Sequence, residues 1–314
     1  MENESNVTKE VESQTKAVDS NANKQVKKVV KKKKVTKGKA VGFGILMLVI
    51  YLAVQMVVSI FGIIPMAMKA MLAAGGDMQK YQENYMNMVS NSSELITNLQ
   101  AVGTLVCVIV FALWYYFGFY KKSKKSGEYE SVAPKLLKAK SWVFILSLEI
   151  FVLAASVLLS VLSRKLMPGV DSWLNNIMSL AIGGNDLIGI ISVAVFAPIA
   201  EELLVRGIIM NYARKAYGIV GCIVLTTIMF SVIHMNPIQG LYVIPMGICW
   251  GYVGYKFKSV IPCIVLHMIQ NTTSLVAGDL AIMDNYWFLT ILFVVFGALM
   301  VFVGKRLDFE KEGM

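Results

Sequence analysis

The sequence predicts an all-α fold, a polytopic transmembrane helical bundle of about eight spans with both termini in the cytoplasm. Of the 314 residues, 56% are hydrophobic and only 16% are charged, and the mean hydropathy is +0.62. This composition is too apolar for a soluble domain of the same length. The apolar runs are about 17 to 25 residues long, which is the length of helix that crosses a bilayer.

Each predicted span is an apolar run bounded by polar residues or by glycine and proline. The spans are about 41–64, 97–120, 142–163, 187–205, 219–236, 238–255, 260–277 and 287–304. They divide the chain into a tail, 1–40; the amino-terminal spans and loops, 41–186; a core, 187–277; and a last span with the carboxyl terminus, 278–314.

The basic residues set the predicted orientation. With the amino terminus inside, 26 of the 30 Lys and Arg residues lie in the tail, the inner loops and the carboxyl-terminal segment. The opposite orientation would violate the positive-inside rule in almost every loop. The sequence therefore predicts a multi-pass protein of the cell membrane.

The tail is the most basic part of the chain. Residues 1–40 contain 11 Lys and five acidic residues and no aromatic residue, so we expect this segment to be disordered. Because it directly precedes a span, its predicted partner is the anionic lipid of the inner leaflet and not nucleic acid.

The fourth predicted span ends in a cluster of charged residues. Glu202 and Arg206 are one helical turn apart and can pair, whereas Glu201 is rotated by roughly 100° and points elsewhere. Pro198 removes a backbone donor and is expected to kink the span. One interpretation is that Arg206 holds Glu202 while Glu201 faces a cavity. The alternative is that these charges only mark the cytoplasmic end of the helix.

The only two histidines of the chain also lie in apolar segments. His234 follows Phe230 by one turn, and His267 precedes Asn271 by one turn. A single buried histidine commonly just bonds a neighbouring helix. Ionisable groups on three neighbouring spans, however, predict one polar site inside the bundle.

Two kinds of chemistry are compatible with these residue types. Two histidines and a carboxylate could bind a divalent metal such as zinc, which would activate a water. Alternatively, Glu201 could act as the general base without a metal while His267 and Asn271 donate hydrogen bonds to an oxyanion. We favour the metal-free route, and both routes lead to amide hydrolysis.

Three motifs in this order, on separate spans, resemble the signature of a known family, the CPBP family of CAAX-protease and bacteriocin-processing (Abi) intramembrane endopeptidases. The motifs are Glu201-Glu202-x-x-x-Arg206, Phe230-x-x-x-His234 and His267-x-x-x-Asn271. The resemblance covers about residues 187–277 and includes the small-residue segment 247–259. Val205 stands where the family usually has an aromatic residue, which bears on packing and not on the chemistry.

The resemblance implies roles for these residues. Glu201 would be the catalytic base, and Glu202 and Arg206 would orient it or shape the site. The residues that would position the water or the substrate carbonyl are His234, His267 and Asn271. The predicted substrate is a membrane-associated peptide or protein, such as a leader, a propeptide or a CAAX-like chain, with a prenylated substrate less favoured.

A non-catalytic bacteriocin self-immunity protein or membrane scaffold on the same fold is the main alternative. A transporter is disfavoured because the sequence contains no internal repeat. The four cysteines lie within predicted spans without paired spacing, which excludes a disulfide framework. Glu149, a mid-span acid, is expected to bond an arginine or a backbone turn, or else to line the cavity.

Overall fold

The computed structural model describes residues 35–127, 129, 131, 136, 138–172, 187–277 and 285–307. Within these ranges the regular structure is helical and contains no strand, as the composition predicts. The predicted disorder and lipid binding of the tail concern residues that lie almost entirely outside this set, and so do the ends of the 278–314 segment.

Ten helices make up the described part of the chain. In chain order they are α1 (Lys37–Ala74), α2 (Met78–Asn91), α3 (Ser93–Tyr115, continued by Tyr116–Tyr120 and Lys121–Ser126), α4 (Ala139–Leu166), α5 (Leu187–Ala213), α6 (Ile219–Ile233), α7 (Pro237–Tyr242), α8 (Ile244–Phe257), α9 (Ile261–Ala277) and α10 (Tyr286–Gly304).

Short polar residues begin several of these helices. Asp77 accepts hydrogen bonds from two backbone amides of the first turn of α2, and Asn236 does the same for one amide of α7. Asn285 accepts from the amide of Phe288 at the start of α10. Such caps satisfy backbone donors that have no partner within the helix, so the polar residues between the apolar runs locate the helix starts.

The helix lengths differ from the eight predicted spans. Five helices among the described residues, namely α1, α3, α4, α5 and α10, are long and apolar enough to cross a membrane. In contrast, α6, α8 and α9 have only 15, 14 and 17 residues. A helix of 14 residues rises about 21 Å, which is less than the hydrocarbon thickness of about 30 Å. The number of complete spans therefore remains a prediction.

Helix α5 lies at the centre of the bundle. All seven residues of its segment Leu203–Ile209 are buried, and α5 contacts α1, α3, α6, α8 and α9. Helix α10 is peripheral, because it packs mainly on α4 and only 6% of its apolar stretch is buried. Polar residues on α5 are thus placed as far from lipid as this fold allows.

Glycines bring α8 close to its neighbours. A Cβ atom at Gly247 would lie 2.6 Å from a methyl carbon of Thr227 on α6. A Cβ atom at Gly254, two turns later on α8, would lie 3.2 Å from Arg206 on α5. Larger residues at these two positions would push the helices apart, so the glycines of α8 allow it to pack closely against α5 and α6.

Candidate active site

A buried ion pair forms the base of the site. Arg206 Nη1 donates to Glu202 Oε1 over 2.8 Å, and both side chains are fully inaccessible to solvent. The two residues are four positions apart on α5, so their pairing follows from the spacing in the sequence. Since a lone buried charge is very costly, removal of either group would leave the other without a compensating charge.

Two other helices hold the guanidinium of Arg206. Its Nη2 donates to the carbonyl of Gly247 on α8 over 3.4 Å. The guanidinium carbon also lies 4.5 Å from the ring centre of Phe230 on α6, which is cation–π geometry. Phe230, the first residue of the Phe-x-x-x-His motif, therefore packs against the cation of the Glu-Glu-x-x-x-Arg motif.

Two π-helical turns flank the glutamates on α5. The first spans Ser192–Phe196 and the second spans Leu203–Ile209, so that Ala197–Glu202 is a single α-helical segment between them. Single π-helical turns are rare, and they occur frequently at functional sites. Each one widens the helix locally, which changes the direction of the side chains that follow.

Pro198 and Asn271 together explain the first of these turns. The amide of Ala197 donates to the carbonyl of Ser192, five residues earlier. The next bond in that register would join Pro198 to Val193, but proline has no N–H. Asn271 Nδ2, on α9, donates to the Val193 carbonyl over 2.8 Å instead. The kink expected from Pro198 thus takes the form of a π-helical turn that a side chain from another helix completes.

The imidazole of His267 lies between the two carboxylates. Its Nδ1 is 3.1 Å from Glu202 Oε1, and its Nε2 is 3.9 Å from Glu201 Oε2. An ionised carboxylate can only accept, so Nδ1 carries the proton and donates to Glu202. The second nitrogen, Nε2, therefore faces Glu201.

Glu201 differs from Glu202 in its accessibility. The Glu201 side chain is 13% exposed, whereas that of Glu202 is fully buried. Among the described residues, Glu201 Oε2 has no hydrogen-bond partner, although the atom itself is buried. Glu202 Oε2 also lacks a partner among the described residues, so the two acids differ in exposure and in the groups that they face. Glu202 Oε1 is bonded by Arg206 and His267, whereas the partly exposed Glu201 faces Nε2 of His267.

Aromatic rings enclose His267. The Trp250 ring centre lies 4.8 Å from that of the imidazole at 37°, and the Phe230 ring meets it edge to face at 5.6 Å and 85°. These contacts exclude lipid and restrict rotation of the imidazole.

His234 is at the end of a helix and not within a span. Helix α6 ends at Ile233, His234 is its C-cap, and Met235 has a positive φ of 54°. The reversal before Pro237 therefore comes earlier than the predicted end of the span at 236. His234 Nδ1 is bonded to the carbonyl of Phe230 over 2.8 Å, and Glu201, Arg206 and His267 all act on this imidazole electrostatically.

One protein-family model matches the part of the chain that contains this site. The matching family is described as type II CAAX prenyl endopeptidase Rce1-like, and its model matches residues 183–273. This match supports a relationship of these residues to the CAAX-protease (CPBP) family. The matched segment contains every predicted site residue, and the family is one of proteases. Neither the curated proteins nor the solved structures include a match to the chain.

The segment that matches the family model brings most of the predicted site residues into contact. Glu201, Glu202, Arg206 and His267 form one cluster. His234 lies beside it, since its ring is 5.1 Å from that of Phe230, which packs on Arg206 and His267. Asn271 differs, because its recorded hydrogen bond goes to the backbone of α5 and not to the cluster.

Two residues of the site were not recognised as functional from the sequence. Trp250 contacts His267, and its Nε1 donates over 3.0 Å to Glu149 on α4. The acid therefore bonds an indole, and not the arginine or backbone turn that was expected. A mid-span carboxylate was a usable signal for Glu149. Trp250 carried no signal, because a tryptophan in an apolar run is indistinguishable from other core residues.

The side chains do not fit a bound divalent metal. In the part of the chain that the structure describes, no three His, Cys, Asp or Glu side chains are placed to hold one ion. Glu202 is already paired with the cationic Arg206, and Nδ1 of His267 is bonded to Glu202. The described cysteines are free, and three of the four are buried.

Proposed function

We propose that this protein is an intramembrane endopeptidase in which Glu201 is the general base that activates the attacking water. The observation that carries the proposal is the difference between the adjacent acids. Glu202 is fully buried and paired with Arg206, whereas the Glu201 side chain is 13% exposed and its Oε2 lies 3.9 Å from His267 Nε2.

The distance between Glu201 and His267 suits one bridging water. At 3.9 Å the two atoms are too far apart for a direct hydrogen bond, but one water can reach both at about 2.8 Å. Neutral His267 accepts one hydrogen of this water at Nε2 while Glu201 takes the other. The water is thereby oriented with a lone pair toward the substrate carbonyl.

The protons balance over the reaction. Glu201 removes a proton as the water oxygen bonds to the carbonyl carbon, which produces a tetrahedral oxyanion. When the C–N bond breaks, the protonated Glu201 returns this proton to the leaving amine. His234, whose Nδ1 is bonded to the Phe230 carbonyl, is assigned to positioning the substrate carbonyl.

The Glu202–Arg206 pair has a supporting role in this scheme. Glu202 fixes the tautomer and the orientation of His267, because its carboxylate accepts from Nδ1. Arg206 pairs with the Glu202 carboxylate without itself touching the reacting atoms. Substrates are expected to be peptides or membrane-associated proteins, since the site lies in a bundle of apolar helices.

Substitution of the base tests the proposal. Glu201→Gln preserves shape but removes the proton acceptor, so we expect cleavage of a membrane-associated reporter peptide to fall by at least about 10²-fold. Glu83→Gln, which changes an exposed carboxylate on α2, is the matched control and should cleave normally. Retained cleavage in Glu201→Gln would contradict the proposed base. Loss of a cellular phenotype only in variants that also abolish membrane insertion would favour the scaffold or immunity alternative.

A further inference from the structure

We infer that Glu149 is a positioning residue for the active site, acting through Trp250 on His267. The role assigned to His267 rests on the proposed endopeptidase function. Glu149 is on α4, outside the segment that matches the CAAX-protease family. Its influence on the site therefore comes from the tertiary structure and from no recognised motif.

The first link is a buried hydrogen bond. Trp250 Nε1 donates to Glu149 Oε2 over 3.0 Å, between residues 101 positions apart in the chain. Trp250 is completely buried, and Glu149 is 6% exposed. A buried carboxylate in an apolar bundle is expensive, and its retention here is explained by the constraint that it places on the indole.

The second link is the contact between two rings. The indole of Trp250 lies 4.8 Å from the imidazole of His267, centre to centre. The backbone of Trp250 is also tied to α9, because Cys263 Sγ donates to its carbonyl over 3.2 Å. With both its N–H and its carbonyl bonded, Trp250 has little freedom to turn away from His267.

Ring orientation matters because both imidazole nitrogens are used. Nδ1 must face Glu202 while Nε2 faces Glu201, so a rotation of the ring breaks one contact or both. Phe230 restrains the imidazole edge to face, and Trp250 packs on it at a smaller angle. Glu149 holds the indole of Trp250, which is the ring that α8 places against His267.

Four variants test whether Glu149 acts as the hydrogen-bond acceptor for the Trp250 indole or in some other way. Glu149→Leu removes the acceptor, whereas Glu149→Gln keeps an oxygen that can accept from Nε1. Trp250→Phe removes the donor from the other side. Ser147→Ala is the matched control on α4, because the Ser147 hydroxyl bonds only the carbonyl of Val143 in its own helix.

The expected activities follow from the loss of orientation. Glu149→Leu and Trp250→Phe should each lower kcat by about ten- to a hundredfold with KM changed less than about twofold, because misplaced catalytic groups mainly affect the transition state. Glu149→Gln and Ser147→Ala should stay within about twofold of the unchanged protein. The double variant Glu149→Leu/Trp250→Phe should be no worse than the poorer single variant.

A spectroscopic readout makes the test independent of catalysis. The chain has only two histidines, so selective ¹³C-histidine labelling yields two imidazole signals, which a His234→Gln variant assigns. In Glu149→Leu the His267 signal should shift and the His234 signal should not. Neither signal should move in Ser147→Ala.

Three results would overturn the inference. The first is an unmoved His267 signal in Glu149→Leu, and the second is a normal kcat in Trp250→Phe. The third is a Glu149→Gln variant as impaired as Glu149→Leu, because that result would assign Glu149 a role that depends on its charge or its proton. If Glu149→Leu does not fold in detergent, Trp250→Phe decides with the same measurements. A protein that cleaves nothing would disprove the proposed function, yet the histidine signals would still decide whether Glu149 positions His267.

Discussion

At the scale of single residues, the site works by giving two adjacent carboxylates different partners. Glu202 is fully buried and bonded by Arg206 and His267, whereas Glu201 is partly exposed and faces the other imidazole nitrogen of His267. Because successive residues on a helix point in different directions, adjacency in the sequence is what makes this division possible. One residue inserted between the two glutamates would change the relative directions of their side chains.

Arg206 is predicted to be essential for stability as well as for activity. Arg206→Met keeps most of the side-chain volume but leaves the Glu202 carboxylate buried without its cation. We expect a loss of about 3–5 kcal/mol in the free energy of unfolding, together with loss of cleavage. Thermal or denaturant unfolding in detergent measures the loss of stability.

A compensating variant provides the control for this prediction. Adding Glu202→Gln to Arg206→Met removes the unpaired charge, so the double variant should recover part of the lost stability but not the activity. Equal stability of the single and double variants would show that the pair is not the cause.

Metal removal is predicted to have no effect. The described side chains do not group to bind a divalent ion, and the proposed base acts without one. We expect unchanged cleavage rates after treatment with EDTA or 1,10-phenanthroline and dialysis, measured against a zinc peptidase as the positive control. A loss of activity that added zinc restores would contradict the metal-free mechanism.

At the scale of elements, the shape of α5 depends on another helix. The π-helical turn Ser192–Phe196 leaves the Val193 carbonyl without a helical donor at Pro198, and Asn271 supplies one from α9. Asn271 therefore joins the helix of His267 to the helix of Glu201. In this structure its position explains how the two helices keep their register.

Asn271→Leu is predicted to loosen this connection. The Val193 carbonyl would lose its donor, at a cost of about 1 kcal/mol, and the distance between His267 and Glu201 would no longer be fixed. We expect a modest fall in thermal stability and a much larger fall in kcat. Both are measurable on the detergent-solubilised protein.

Pro198→Ala offers a specific test of the cause. Alanine restores a backbone N–H that can bond the Val193 carbonyl, so Pro198→Ala should offset the stability lost in Asn271→Leu. If the two substitutions are simply additive, the carbonyl is not what links these residues.

At the scale of the whole molecule, long helices surround shorter ones. Helices α6, α8 and α9 are shorter than a bilayer is thick, and they carry or contact the site residues His234, His267 and Asn271. Helix ends at membrane depth are tolerated where protein or water, and not lipid, surrounds them. Short helices therefore permit a cluster of polar residues inside an otherwise apolar bundle.

The orientation of the bundle yields a matched pair of labelling sites. Ser90 at the end of α2 is predicted to lie outside and Ser126 at the end of α3 inside, and both are exposed. In intact cells a membrane-impermeant maleimide should label Ser90→Cys but not Ser126→Cys, and permeabilisation should expose both. Three of the four native cysteines are buried, so the background is low. The reverse pattern would disprove the cytoplasmic location of the termini.

The sequence by itself determined the class of the protein and the contents of its site. Composition predicted a helical membrane protein, the three motifs predicted the family, and a spacing of four residues predicted the pairing of Glu202 with Arg206. These inferences succeed because each depends on composition, on a local motif or on the geometry of one helix.

Only the tertiary structure decided which helices share the site. The bonds from His267 to Glu202, from Asn271 to Val193 and from Trp250 to Glu149 join residues 65, 78 and 101 positions apart. No periodicity within one helix predicts such contacts, because they depend on how helices of unequal length pack around α5. For the same reason the sequence marked Glu149 as unusual but could not name the indole that it holds.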